Sequence, residues 1–233
     1  MRFSCPGKTF LLGEYLALVG GLSLVVATRP RFIMTVKSSL SSCDQLGEHD
    51  MPSRSNKGTL LVSEIDGQSK AHPLSPAGRF AEQYDLSMID FEDGYGELGG
   101  FGASTAQFLG VWAAARGLPS EGANWTAAEL LKAYRAVAWN GEGWAPSGVD
   151  LLAQWQGGLT WIETSKLADS SGIRGVTWPF TDLHFSLFHT QKKLATHEHL
   201  RLAKEFSVDS LTRIVLRARQ AFENGDPLSF ANA

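Results

Sequence analysis

The stretch Gly99-Gly100-Phe101-Gly102-Ala103-Ser104-Thr105-Ala106 constrains the fold of this chain more than any other. Three glycines remove Cβ atoms where the backbone must turn tightly or approach a ligand. Ser104 stands where a helix N-cap belongs, and Thr105, Ala106, Leu109, Trp112 and Ala113 follow at helical spacing, which predicts a helix running to Arg116. A glycine loop emptying into a helix start gathers unpaired N–H groups at the positive end of the helix dipole. That is a general anion site, and phosphate is its commonest occupant. A tight turn with a capped helix fits the same residues.

The flanking segments predict alternating strands and helices. Pro6-Gly7-Lys8 reads as a turn, Thr9 to Leu12 as a buried strand ending at Gly13-Glu14-Tyr15, and Leu22 to Thr28 and Phe32 to Val36 as two further strands. Ser38 to Gly58 is polar and reads as an exposed excursion. Leu60 to His72 reads as a hairpin about Asp66-Gly67. Ser75-Pro76 opens a helix to about Tyr84, and Leu86 to Phe91 forms a strand. Thr126-Ala127-Ala128-Glu129 is a capping box for a helix to about Trp139. Leu151 to Gln156 follows, then a strand from Leu159 to Glu163, another from Phe180 to Thr190, and an amphipathic helix from Leu211 to Phe222.

Composition excludes several classes. With 233 residues the chain can build one large domain or two small ones, and a net charge of −3 gives no reason to invoke nucleic acid or an anionic membrane. Two cysteines, Cys5 and Cys43, make no disulfide framework and imply a reducing, cytoplasmic setting. The apolar run from Phe10 to Thr28 is interrupted by Glu14 and Gly20-Gly21, which argues against a signal peptide. Gly7-Lys8-Thr9 is no P-loop, because Arg2 stands where the earlier glycine would be needed.

Three segments stand in a definite order: Pro6-Gly7-Lys8…Gly13-Glu14-Tyr15, then Gly100-Phe101-Gly102-Ala103-Ser104-Thr105-Ala106, then Pro146-Ser147-Gly148-Val149-Asp150…Gly157-Gly158. Together they resemble the GHMP kinase superfamily, and within it the mevalonate and phosphomevalonate kinases. The resemblance implies a two-domain α/β (α+β) fold. Residues 1–165 would form a ribosomal S5-like ATP-binding domain and 166–233 an incomplete ferredoxin-like C-terminal domain. It implies ATP and Mg²⁺ as cofactors, a small-molecule substrate, no nucleic-acid or membrane partner, and phosphoryl transfer to a hydroxyl or phosphate of mevalonate or phosphomevalonate. Other superfamily members act on a sugar or an amino-acid alcohol, and a non-catalytic relative would only bind a nucleotide or metabolite.

Residue by residue, the resemblance assigns Gly99, Gly100, Gly102, Ala103, Ser104 and Thr105 to ATP. It makes Asp150 the catalytic base with Lys8 beside it, and gives Glu14, Tyr15, Ser147 and Gly148 to the acceptor. Ser104 is implied as a magnesium ligand. Phosphoryl transfer needs positioning, charge neutralisation and an oriented nucleophile, which these residue types supply. Plainer readings stand beside these roles: Lys8 as a solvated lysine, Ser104 as a cap, Asp150 as N-cap of a helix from Leu151, and Glu14 as a surface charge.

The chain also departs from the pattern. Trp139 occupies the position of a glutamate metal ligand in mevalonate kinases, and Glu142 is the nearest acid. Tyr15 leans toward phosphomevalonate kinases, whereas Pro146 to Asp150 leans toward mevalonate kinases. No late glycine-rich third motif is present after Phe206. Either the chain is truncated, which is the favoured expectation, or the homologue has lost part of its second domain; in both cases residues beyond about Phe180 are expected to be weakly packed.

Overall fold

The computed structural model describes residues 1–38, 71–96, 98–116, 126–169, 171–188 and 207–233. The expected excursion after Ser38, the body of the hairpin before His72 and the segment 191–204 lie outside the described residues. Among the described residues five strands form one sheet: β1 (Arg2–Leu12), β2 (Leu22–Ser38), β3 (Leu86–Asp93), β4 (Leu159–Glu163) and β5 (Ile173–Val176). Every pairing is antiparallel. The 17-residue β2 is the spine. β1 runs along one side, while β3 and β4 share the other, β3 on its second half and β4 on its first.

Two sequence expectations change here. Pro6-Gly7-Lys8 is not a turn but the middle of β1, and the two strands expected between Leu22 and Val36 are one. The glycine, the prolines and Arg29 mark a bulge instead: Pro6 pairs with Arg31 and Gly7 with Thr28, leaving Arg29 and Pro30 as extra residues. A bulge bends a strand and tolerates proline without ending the ladder. The alternation inverts across it. Phe32, Met34 and Val36 face the main core after the bulge, whereas Val25 faces it before.

The helices are α1 (Pro76–Gln83), α2 (Ala103–Arg116), α3 (Ala127–Ala138), α4 (Val149–Gln156), α5 (Val208–Glu223) and α6 (Pro227–Ala231). Two of the expected caps form. Ser75 Oγ accepts from Gly78 N, and the Thr126–Glu129 capping box closes reciprocally. α2 and α4 pack with the sheet in the main core, burying Ala106, Phe108, Val111, Trp112, Leu151 and Leu152 with Phe32 and Met34. Each large apolar side chain so buried contributes about 1.5–3 kcal/mol.

A second apolar cluster forms from Leu16, Leu22, Leu24, Trp161, Phe180, Val215 and Phe222. Leu22 and Leu24 alternate with Val25, and Trp161 with Ile162, so β2 and β4 are covered on both faces. Phe180 lies edge-on to Trp178 and Phe222, and Phe230 completes the aromatic group. Phe180, Val215, Phe222 and Phe230 thus share a defined packing surface. The strand expected over Phe180 to Thr190 is absent from its described part, 180–188, whose Phe185, Leu187 and Phe188 are exposed.

Candidate functional site

The middle of β1 brings the first segment against the glycine loop. Lys8 donates its backbone N–H to the Phe101 carbonyl at 3.0 Å. No side chain fits at Gly7, because a Cβ there would strike the Tyr95 hydroxyl. Tyr95 stacks on Phe101 with ring centroids 4.2 Å apart and hydrogen-bonds Thr28 Oγ1 at 2.7 Å. Behind the loop, therefore, stands a rigid aromatic wall.

In the loop itself, Gly102 has φ +87° and Gly100 φ +95°. A Cβ on Gly102 would lie 2.9 Å from Gln154 Nε2, so that glycine is required twice, by torsion and by space. A Cβ on Gly100 would meet nothing within 4 Å, which leaves that side of the loop open to a ligand. α2 begins at Ala103, so Ser104 is an exposed first-turn residue and not the expected N-cap. Thr105 is buried behind it and its hydroxyl faces the Gly102 carbonyl at 3.0 Å. An open glycine cradle at a helix start fits the phosphates of a nucleotide.

The third segment arrives through α4. Its N-cap is Gly148, at φ +73°, and Ser147 Oγ accepts from Val149 N at 3.4 Å. Arg135 on α3 holds the approach by donating to the Pro146 carbonyl at 3.0 Å and the Ser147 carbonyl at 3.3 Å. Asp150 is therefore the second residue of α4, and the plain reading of it as an N-cap does not hold. Its Oδ2 lies 2.9 Å from Lys8 Nζ. Lys8 is 8% exposed and also approaches the Phe10 ring at 5.0 Å, so it is no solvated lysine. The Asp150 side chain keeps 34% of its surface.

An ammonium this buried needs its counter-charge. The pair joins a dry positive charge to a carboxylate that still faces solvent, a geometry in which the carboxylate can reach a bound molecule. Tyr134 on α3 is within electrostatic reach of Asp150. Its phenol is pushed up to about 12, first by burial and then by the Asp150 carboxylate.

The remaining expected residues stand on other elements. Glu14 is exposed, and Tyr15 precedes the short 3-10 helix Leu16–Val19. Glu142 is exposed in the loop after α3, where its carbonyl accepts from the Trp139 indole at 2.9 Å. Among the described residues no group of three or more His, Cys, Asp or Glu side chains gathers as a metal site. A lone hydroxyl such as that of Ser104 suits only a cation that keeps most of its ligands from water and phosphate, as magnesium does.

Sequence reasoning missed Tyr95, Arg135 and Gln154, each a support of the segments rather than a motif member. A groove of about 810 Å³ lies elsewhere, between Gly157, Trp161, Gly175 and Phe222. The paired charges and the open glycine loop make the candidate site.

No protein-family model matches the chain, and no curated protein sequence matches it. Solved structures do. The phosphomevalonate kinase of Streptococcus pneumoniae superposes with a TM-score of 0.60 at 14% identity, covering 99% of this chain and 75% of that one. The Lin0012 protein from Listeria innocua superposes with a TM-score of 0.64 at 18% identity, covering 98% of this chain and 74% of that one. At such identities the likeness is one of architecture: the chain has a mixed α/β fold resembling that of this phosphomevalonate kinase.

Proposed function

We propose that the chain is an ATP-dependent small-molecule kinase that phosphorylates a hydroxyl or phosphate of mevalonate or phosphomevalonate. The observation that carries the reading is the 2.9 Å Lys8–Asp150 pair, held on a strand whose backbone also bonds the glycine loop. Three segments remote in sequence thereby meet at one centre.

In this reading the loop from Gly99 to Thr105 holds the nucleotide phosphates, with Ser104 toward magnesium. Magnesium would supply charge neutralisation for the moving phosphoryl group. Asp150 orients the acceptor and takes the proton of its hydroxyl when that is the reacting group. Lys8 fixes the carboxylate and contributes positive charge beside the reacting centre. Glu14, Tyr15, Ser147 and Gly148 belong to acceptor binding, and Glu142 is the second candidate for the metal. Residues 1–165 form the nucleotide-binding part and 166–233 belong to a second domain. A reducing, cytoplasmic setting fits buried, unpaired Cys5, and among the described residues no helix is long and apolar enough to cross a membrane.

A non-catalytic nucleotide or metabolite binder is the second reading. Trp139, in the place where the resemblance expects a glutamate ligand, favours it; an acceptor that is a sugar or an amino-acid alcohol is the remaining possibility within the superfamily. Calorimetric titration with magnesium-ATP, followed by a coupled ADP-release screen over these acceptors with and without EDTA, tests the proposal. Magnesium-dependent turnover on mevalonate or phosphomevalonate is the expected result. Binding without turnover on any acceptor would favour the second reading, and no binding at all would refute both.

A further inference from the structure

Gln154 belongs to none of the three segments, yet its side chain touches the first two directly and is carried on the helix of the third. It lies one turn of α4 beyond Asp150 and is 3% exposed. Its amide nitrogen donates to the Pro6 carbonyl, 148 residues away in sequence, at 2.8 Å. The same nitrogen donates to the Gly102 carbonyl at 3.1 Å. Its amide oxygen accepts from the Thr105 hydroxyl at 2.5 Å. Only one orientation of the amide satisfies these contacts, because the two carbonyls cannot donate. The Gly102 carbonyl also takes the first helical N–H, that of Ala106, at 2.9 Å. The single proton of Thr105 is therefore left for Gln154.

Pinning a carbonyl aims an N–H. Across a trans peptide, the C=O of one residue and the N–H of the next point in opposite directions. The Phe101 carbonyl is held by the Lys8 N–H, and the Gly102 carbonyl by Gln154. The N–H groups of Gly102 and Ala103 are consequently turned away from β1 and α4. Successive N–H groups presented together at a helix start make a seat for an anion.

We infer that Gln154 is a positioning residue that aims the N–H groups of Gly102 and Ala103 at the nucleotide phosphates and keeps them in one frame with the Lys8–Asp150 pair. The inference rests on the nucleotide-binding reading above. Three facts carry it together: the buried amide is fully engaged, its partners come from β1 and the glycine loop, and its nitrogen fills the space that a Cβ on Gly102 would need.

The test uses the full chain with Gln154→Met, Gln154→Glu and Thr105→Val. The first two keep the side-chain length, and the third keeps the volume while removing one hydroxyl. Magnesium-ADP affinity is measured by calorimetry, amide exchange by mass spectrometry, and folding by thermal unfolding. Gln154→Met is expected to weaken magnesium-ADP binding about tenfold, and Thr105→Val about threefold. Gln154→Glu is expected to weaken it about 100-fold, since its oxygens face two carbonyls. Exchange should quicken at 99–103 while 108–114 stays as in the unmodified chain.

A glutamine that served only general stability would instead quicken exchange along all of α2. A folded Gln154 variant with unchanged affinity and unchanged loop exchange overturns the inference. Should both Gln154 variants unfold, unchanged affinity and loop exchange in Thr105→Val overturns it. A wild-type chain that fails to bind magnesium-ADP refutes the nucleotide reading instead. Loop exchange in the variants still decides whether Gln154 holds the loop.

Discussion

Replacing Asp150 by asparagine should cost more stability than replacing Lys8 by methionine, although each removes one half of the same ion pair. At 2.9 Å the two charges attract by about 6 kcal/mol at an effective dielectric of about 20. Most of that offsets the desolvation of Lys8, which is only 8% exposed. Asp150→Asn leaves the ammonium buried without its counter-charge. Losing one partner of a fully buried pair costs about 3–5 kcal/mol; with Asp150 one-third exposed, water can enter, and about 2–3 kcal/mol is expected.

Lys8→Met leaves a carboxylate that water already reaches and keeps an apolar stem against Phe10, so about 1 kcal/mol is expected. For a chain of this size each kcal/mol moves the unfolding midpoint by about 2–4 °C. The double variant should be no less stable than Asp150→Asn alone, because it leaves neither charge behind. Differential scanning calorimetry at neutral pH and low salt measures all three. If Lys8→Met proved the more damaging single change, or Asp150→Asn left the midpoint within about 1 °C of wild type, the argument from asymmetric burial would be refuted. In the same samples, turnover of Asp150→Asn should fall about 10²–10⁴-fold with magnesium-ADP affinity nearly unchanged.

Gly102→Val should abolish nucleotide binding in a chain that still folds, since it forces a β-branched residue to φ +87° and into Gln154; calorimetric affinity equal to wild type would make the loop merely structural. Burial raises the Cys5 thiol from 9.0 to about 12, so its contribution to stability is complete below pH 9 and is lost as pH rises toward 12, where the unfolded chain ionises first. Urea unfolding midpoints between pH 8 and 11 should fall less steeply for Cys5→Ala than for wild type, and parallel slopes would contradict this assignment. Hydrogen exchange should protect Gln107 to Ala115 more than Leu211 to Phe222, because α2 buries Phe108, Leu109, Val111 and Trp112 whereas α5 buries only Val215, Ala218, Ala221 and Phe222. Equal, near-global protection in both helices would count against weaker anchoring of the C-terminal part.

Local signals carried much of the architecture. The Ser75-Pro76 start, the Thr126–Glu129 capping box, the helix behind the glycine loop and β4 were legible because each is written within a few neighbouring residues. The reading of the glycine loop as an anion site has the same origin, since missing Cβ atoms and a helix start are both short-range features. The resemblance carried by the three segments pointed to the fold now found, but it could only name Lys8 and Asp150 as neighbours.

Tertiary structure decided what those short patterns left open. Pro6-Gly7-Lys8 has the composition of a turn, and only its pairing with Thr28 and Arg31 across the bulge keeps it in β1. Ser104 looks like a cap, yet the Gly102 carbonyl already accepts from Ala106 and starts α2 earlier. The alternation of Phe180 to Thr190 suggests a strand, but its described residues pair with none, and Phe180 instead packs against Phe222 and Trp178. Gln154 sits inside an ordinary helical pattern, where nothing local distinguishes a buried amide from an exposed one. Burial, ion pairing and the satisfaction of buried polar groups depend on which remote segments come together. They are properties of the packed chain, and for that reason Lys8, Asp150 and Gln154 acquire their environment only in three dimensions.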